Sequence, residues 1–197
     1  LHAVGTHVTV TVTDAEEARA ASEQGADSLA VQGPLAGGHR GTHTVAKPPS
    51  QLDLDALLAS VAAVSSLPRI AAGGVATRDR VEGLLGGGAS AVQLGTVFLR
   101  AEECGAVQAH KDALASGRYE GTTLTRAFTG RFARGLTNRF IADHDADGIA
   151  AYPELNLLTR PLRAAAAAAG DPGGMALWAG TGFSNARAVP AVDILAA

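Results

Sequence analysis

Short apolar or β-branched runs alternate with helix-forming sequence along the first half of the chain, and that alternation limits the fold more than any other feature. The runs are residues 6–12 (THVTVTV), 26–32 (ADSLAVQ), 68–72 (PRIAA) and 90–94 (SAVQL). Such residues suit the pleated, half-buried surface of a strand. Thr13-Asp14-Ala15-Glu16 has the form of a capping box, with Thr13 as N-cap and Glu16 at N3. The helix it opens should run to about Gln24 and close at Gly25. Further helices are expected near residues 52–64 and 78–85. The first strand leads the second by about 21 residues, and the third leads the fourth by about 21; a long loop stretches the middle interval to about 40. This pitch builds βαβ units and a parallel sheet. Four units make half of an eight-stranded barrel, a fold of about 250 residues. An open doubly wound sheet has the same periodicity and is the alternative.

After Thr96 the pattern changes. A helix is expected near residues 102–116, then polar, Gly- and Arg-rich sequence to Asn138 and a loop over 143–153. A helix over 155–169 ends in a run of alanines before Gly170, and another should begin near Ser184. The expected layout is therefore a half-barrel over residues 1–118 and a helical and irregular appendage over 119–197 that packs on it. Leu1 is not an initiator Met and strand-like sequence begins almost at once, so a preceding half-barrel is expected to be missing.

Composition narrows the function classes. With 47% hydrophobic and 18% charged residues, the chain is neither disordered nor membrane-spanning. No window of about 18 apolar residues exists, and no basic region followed by an apolar run marks a signal peptide. The net charge is −3, with no Lys/Arg cluster to hold nucleic acid. A single cysteine, Cys104, precludes an intrachain disulfide framework and fits a reducing cytoplasm.

Chemistry in parallel barrels sits in the loops after the C-terminal ends of strands. Three such loops are marked by glycine: residues 33–50 after the second strand, Gly73-Gly74 after the third and Gly95-Thr96 after the fourth. The last two, one βα unit apart, match the phosphate site that follows the seventh and eighth strands of such barrels. That assigns the four strands as the fifth to eighth, the C-terminal half of a TIM barrel. Glycine lets backbone N–H groups approach phosphate oxygens, and Thr96 adds a hydroxyl. In the long loop, His39 lies near a strand end, where a neutral imidazole can act as a general base; a surface-loop histidine is its plainer role. His43 shares the loop farther from the strand. Asp143, His144, Asp145 and Asp147 resemble a metal cluster superficially and read as a solvated turn. Arg126, Arg131, Arg134 and Arg139 could meet an anionic ligand or a partner subunit, as in a homodimer, or form surface ion pairs.

The segment Val31-Gln32-Gly33-Pro34-Leu35-Ala36-Gly37-Gly38-His39-Arg40-Gly41 resembles the signature loop of the nitronate monooxygenases. The resemblance continues through IAAGG (70–74), AVQLGT (91–96), TRAFTGRFARGLTNRF (125–140), AYPELNLLTRPLR (151–163) and LWAGTG (177–182). It covers nearly the whole chain, with the motifs in family order. It implies an FMN-dependent enzyme that oxidises alkyl nitronates with O₂ to a carbonyl compound and nitrite. Gln32 and Gly37 would lie along the flavin, and Gly74 with Gln93, Leu94, Gly95 and Thr96 would hold its phosphate. His39 would deprotonate a nitroalkane or steady the nitronate. The family's first four strands, which supply further flavin contacts, are absent from these residues, so the isolated fragment is expected to be inactive. The related FMN-dependent enoyl-acyl carrier protein reductases share an AGGH-type loop and the phosphate glycines, and are the alternative enzyme. A half-barrel remnant without catalysis is the alternative from outside enzymology.

Overall fold

A computed structural model describes residues 1–196. The chain forms two compact units, Leu1–Ala36 with Gly41–Leu94, and Gly37–Arg40 with Gly95–Ala197. The division at residues 94 and 95 lies earlier than the expected one after 118.

In chain order the first unit opens with β1 (Thr9–Val12), α1 (Ala15–Glu23) and β2 (Ser28–Gln32). β3 (Gly38–His39) belongs to the second unit. The first unit resumes with α2 (Leu54–Ala62), β4 (Arg69–Ala72), α3 (Arg78–Gly86) and β5 (Ala91–Gln93). Its four strands form a parallel sheet in the order β1-β2-β4-β5. Val12, Val31, Ala71 and Val92 stand in one row across it, and Gln32, Ala72 and Gln93 stand in the next row, at the strands' C-terminal ends. Leu29, Val31, Leu57, Val61, Ala71 and Leu84 are the heart of the core, each at most 1% exposed.

Two local details depart from the expected ones. β1 begins at Thr9, because the Asp27 carboxylate takes the Val8 N–H at 2.6 Å where a strand partner would otherwise bond. The α1 cap is Asp14, whose Oδ1 accepts from Glu17 N at 2.9 Å. The carboxylate that reaches back is Glu17, not Glu16. Its Oε2 accepts from both the N–H and the hydroxyl of Thr13 at 2.7 Å, and its Oε1 accepts from His43 N at 2.8 Å. Glu17 thus joins the end of β1, the first turn of α1 and the loop after β2. Glu16 instead shares the Lys47 ammonium with Asp14 at the surface.

The second unit contains β6 (Thr122–Thr125) and β7 (Ala133–Leu136), which with β3 form an antiparallel sheet in the order β3-β7-β6. This hairpin occupies sequence expected to be irregular. Arg134 and Gly135 inside β7 hide its alternation; the Arg134 guanidinium donates to Thr122, and Gly135 accommodates the close backbone of Leu177. α4 (Gln108–Ala115) starts later than expected, since Glu102 and Glu103 are drawn to the chain near Val189 and Ala191. α5 (Arg139–His144) begins at an Asn138 cap and runs into the expected loop. α6 (Glu154–Ala168) matches its expectation, whereas the helix expected near Ser184 is a short 3-10 turn, Phe183–Asn185, followed by α7 (Ala191–Leu195).

Glu17 is 3% exposed and satisfies three donors. Glu17→Gln turns one acceptor oxygen into a donor facing a donor, and should cost about 1.5–3 kcal/mol of stability. Urea denaturation checks this; an unchanged midpoint would remove the carboxylate from that role.

Candidate active site

The second unit surrounds His39 with a strand partner, a hydroxyl and two aromatic rings. β3 places it opposite Ala133, and Gly38 opposite Arg134, in antiparallel register, and Arg40 N extends the ladder to Phe132 O at 2.7 Å. Gly37, just before, lies against the backbone of residues 179 and 180. A Cβ at Gly37 would come within 2.5 Å of the Ala179 carbonyl carbon and nearer still to Gly180 N, so only glycine fits.

The His39 imidazole is half-buried. Its Nε2 lies 2.9 Å from Thr129 Oγ1, and that hydroxyl donates to Arg131 O at 3.1 Å. A hydroxyl has one proton to give. With it committed to the carbonyl, the Thr129 oxygen accepts from Nε2–H. Tyr152 meets the ring edge-on and Trp178 at a tilt, both at 5.6 Å. Behind them Phe128, fully buried, stacks on Phe140 at 4.4 Å and meets Trp178 edge-on at 5.5 Å. The Thr159 hydroxyl donates to Phe128 O and anchors this layer to α6.

Burial lowers the His39 pKa from its ordinary 6.5, and the guanidinium charges of Arg131 and Arg163 lower it further. The imidazole is therefore neutral at pH 7, as a proton acceptor must be.

The other expected residues divide between the units. In the first, Gln32 ends β2 and its Oε1 accepts from Gly41 N at 2.8 Å, which closes the loop. Gly74 follows β4 with φ +71, and a Cβ there would lie 2.9 Å from Leu35 Cβ. Its glycine is thus required by the chain itself. Gln93 ends β5 and is exposed, with half-buried Leu94 after it. In the second unit, exposed Gly95 precedes a short 3-10 helix, Thr96–Phe98, at φ −131. No atom lies within 4 Å of where its Cβ would stand. Thr96 Oγ1 accepts from Gly180 N at 2.9 Å, which leaves the hydroxyl proton to be given elsewhere. Open space beside Gly95 and an oriented hydroxyl fit an incoming phosphate group.

His43 serves the loop: its N–H donates to Glu17, and its ring N–H donates to Thr11 O at 3.2 Å. Histidines that looked partnerless in sequence have partners. His2 pairs with Asp27, His7 bonds Ser28, His110 bonds the Trp178 backbone and His144 lies against Phe140. Arg139 forms a surface ion pair, one of the roles open to it, with Asp171 at 2.6 Å. Among the described residues no cluster of three or more His, Cys, Asp or Glu could hold a metal, and no helix is long and apolar enough to cross a membrane.

The sequence matches the family model described as nitronate monooxygenase over residues 1–197. Nitronate monooxygenase from Pseudomonas aeruginosa is 40% identical over 198 residues, which cover 99% of this chain and 56% of that protein. The crystal structure of nitroalkane oxidase from Streptomyces ansochromogenes is 46% identical with a TM-score of 0.94, over 100% of this chain and 57% of that one. The chain belongs to the nitronate monooxygenase family. It spans about half the length of the curated relatives it matches. FabK from Thermotoga maritima, at 24% identity and a TM-score of 0.80 over 60% of its chain, shares the fold alone. The α/β architecture of this family, a parallel sheet with helices, is the one found in the first unit.

Burial holds the pKa of both His39 and His110 below 6.5. The unfolded chain binds these protons more readily than the folded one, so acid favours unfolding. Stability should be fully present above pH 6.5 and fall as pH drops through the depressed values. Urea midpoints at stepped pH measure the slope, and His39→Asn should flatten it. An identical slope in that variant would mean His39 does not titrate below its ordinary value.

Proposed function

We propose that the chain is part of an FMN-dependent enzyme that oxidises alkyl nitronates with O₂ to a carbonyl compound and nitrite, with one oxygen atom of O₂ consumed per nitronate. The observation that carries this reading is a half-buried His39 held by Thr129, its pKa lowered by burial and by two guanidinium charges, in a chain of this family. When bound, FMN supplies the electron transfer that lets O₂ react with the nitronate. The protein's own work is on the carbon acid. The His39 imidazole takes the α-proton of a nitroalkane, Thr129 holds the ring, and Arg131 and Arg163 favour the anion that forms.

Gly74, Gln93, Leu94, Gly95 and Thr96 are proposed to hold the flavin phosphate, with Gln32 and Gly37 along the flavin. Support for the phosphate role is clearest at Gly95 and Thr96, because the chain's own packing explains Gly37 and Gly74. β1, β2, β4 and β5 are proposed to be four consecutive strands of an eight-stranded barrel. One cysteine fits a cytoplasmic setting. Exposed Leu157, Leu158 and Leu162 on α6 support pairing of two copies, which light scattering would read as twice the monomer mass.

Two variants test the site in the whole enzyme. Gly95→Val should lower FMN retention without unfolding the protein, since its side chain meets only open space within the chain. A well-folded variant with full flavin content would remove Gly95 from the phosphate site. Gly74→Val is no substitute, because backbone strain there would unfold the loop whatever it binds. His39→Asn should slow turnover of neutral nitroalkanes by about 10²–10⁴-fold, the usual contribution of a positioned base. It should slow preformed nitronates, which have already lost that proton, far less. Nitrite release on both substrates gives the comparison, with His43→Asn as the unaffected control. Equal losses on the two substrates would turn His39 from a base into a binding group.

A further inference from the structure

Residues 178–180 touch two separate parts of the second unit, Thr96 and the segment Gly37–Arg40. The Gly180 N–H donates to Thr96 Oγ1 at 2.9 Å. The backbone of residues 179 and 180 leaves no room for a side chain at Gly37. The Trp178 indole lies 5.6 Å from the His39 ring. The segment itself is firmly held: Ala179 N bonds Arg134 O at 3.2 Å, Leu136 N bonds Leu177 O at 2.9 Å, and Trp178 bridges to Gly135. Ala179 is 1% exposed.

We propose that residues 178–180 are a positioning strap: the Gly180 N–H fixes the Thr96 hydroxyl as a donor to a phosphate-type oxygen, and Trp178 fixes the imidazole of His39. The Thr96 half rests on the phosphate reading above; the Trp178 half does not. The hydroxyl argument is one of valence. Its oxygen has two lone pairs and one proton, and an N–H already directed at a lone pair leaves the proton pointing to another acceptor. The imidazole argument is steric. Thr129 holds Nε2 at 2.9 Å, a contact that by itself permits rotation of the planar ring about it. The indole on one side and the Tyr152 edge on another remove that freedom. The charged and titratable groups facing His39 are Arg131 and Arg163, with Tyr152; His110 bonds the Trp178 backbone.

Trp178 is the only tryptophan of these 197 residues, so its emission reports on the strap. The experiment uses the whole flavin-free protein, with Trp178→Phe giving the background. An imidazolium quenches an adjacent indole far more than a neutral imidazole does. Lowering the pH should therefore quench emission with a midpoint below 6.5, and His39→Asn should abolish the transition while His110→Gln keeps it. Sulfate is the phosphate probe, since it stays dianionic over this range. Against matched chloride it should change the emission; Thr96→Val should abolish that response and Thr96→Ser restore it. In the flavin-loaded enzyme Trp178→Leu should lower kcat on neutral nitroalkanes by about 10²-fold, the cost of a misplaced catalytic group, with KM and bound flavin little changed. A pH transition that survives His39→Asn, or a kcat unaffected by Trp178→Leu, overturns the Trp178 half. A sulfate response that is absent, or that Thr96→Val leaves intact, overturns the Thr96 half. Failure of the functional reading would show separately, as a wild-type enzyme that releases no nitrite while the fluorescence results stand.

Discussion

The arrangement around His39 depends on a two-residue antiparallel pairing. Gly38 and His39 pair with Arg134 and Ala133, and Gly37–Arg40 of the long loop thereby belong to the second unit. A histidine in a free loop would sample many rotamers in water and hold an ordinary pKa. Locked to β7, the same residue has a fixed Cβ direction, and a ring buried against Tyr152 and Trp178. Backbone ladder bonds on such a short strand are worth little alone, about 1 kcal/mol each. They hold because Gly37 lets the chain lie directly on the backbone of residues 179 and 180, and because Arg131 Nε donates to Arg40 O at 2.9 Å.

The glycines of the signature motifs have different physical reasons. Gly37 is small because another backbone touches it, and Gly74 because its φ is positive and Leu35 is near. Gly95 faces open space, so nothing in the chain itself demands a missing side chain there. A glycine-rich loop in a sequence therefore mixes folding constraints with ligand constraints. Of these three, Gly95 is the one whose missing side chain the packing of the chain does not explain.

Much of the first unit could be read directly because its signals are local. Strand and helix alternation, and the glycine that closes α1, lie within a few residues of their effects. The capping residue was displaced by one position because two acidic residues, Glu16 and Glu17, stand side by side, and only the buried loop at His43 decides between them. The β6–β7 hairpin was hidden because Arg134 and Gly135 break its alternation for tertiary reasons. His39 itself was visible in sequence, but its surroundings were not. Thr129, Tyr152 and Trp178 lie about 90 to 140 residues away along the chain, and nothing in their own neighbourhoods marks them. The family motifs contain all three, so the motifs held the partners without showing which residues meet.

The electrostatics of His39 contain a trade-off that bears on the proposed chemistry. Burial and the two guanidinium charges keep the imidazole neutral and ready to accept a proton, but the same lowered pKa makes it a weaker base. In isolation that would slow abstraction of a carbon-bound proton. The step, however, produces an imidazolium and a nitronate together. The new anion forms beside the new cation in a partly desolvated site, where opposite charges attract more strongly than in water. Arg131 and Arg163, which disfavour the imidazolium before the reaction, favour the nitronate formed during it. The arginines therefore oppose a bare proton on His39 more than they oppose a proton accompanied by its carbanion partner. A site of this kind resists idle protonation from water, yet accepts a proton from a carbon acid held against the ring.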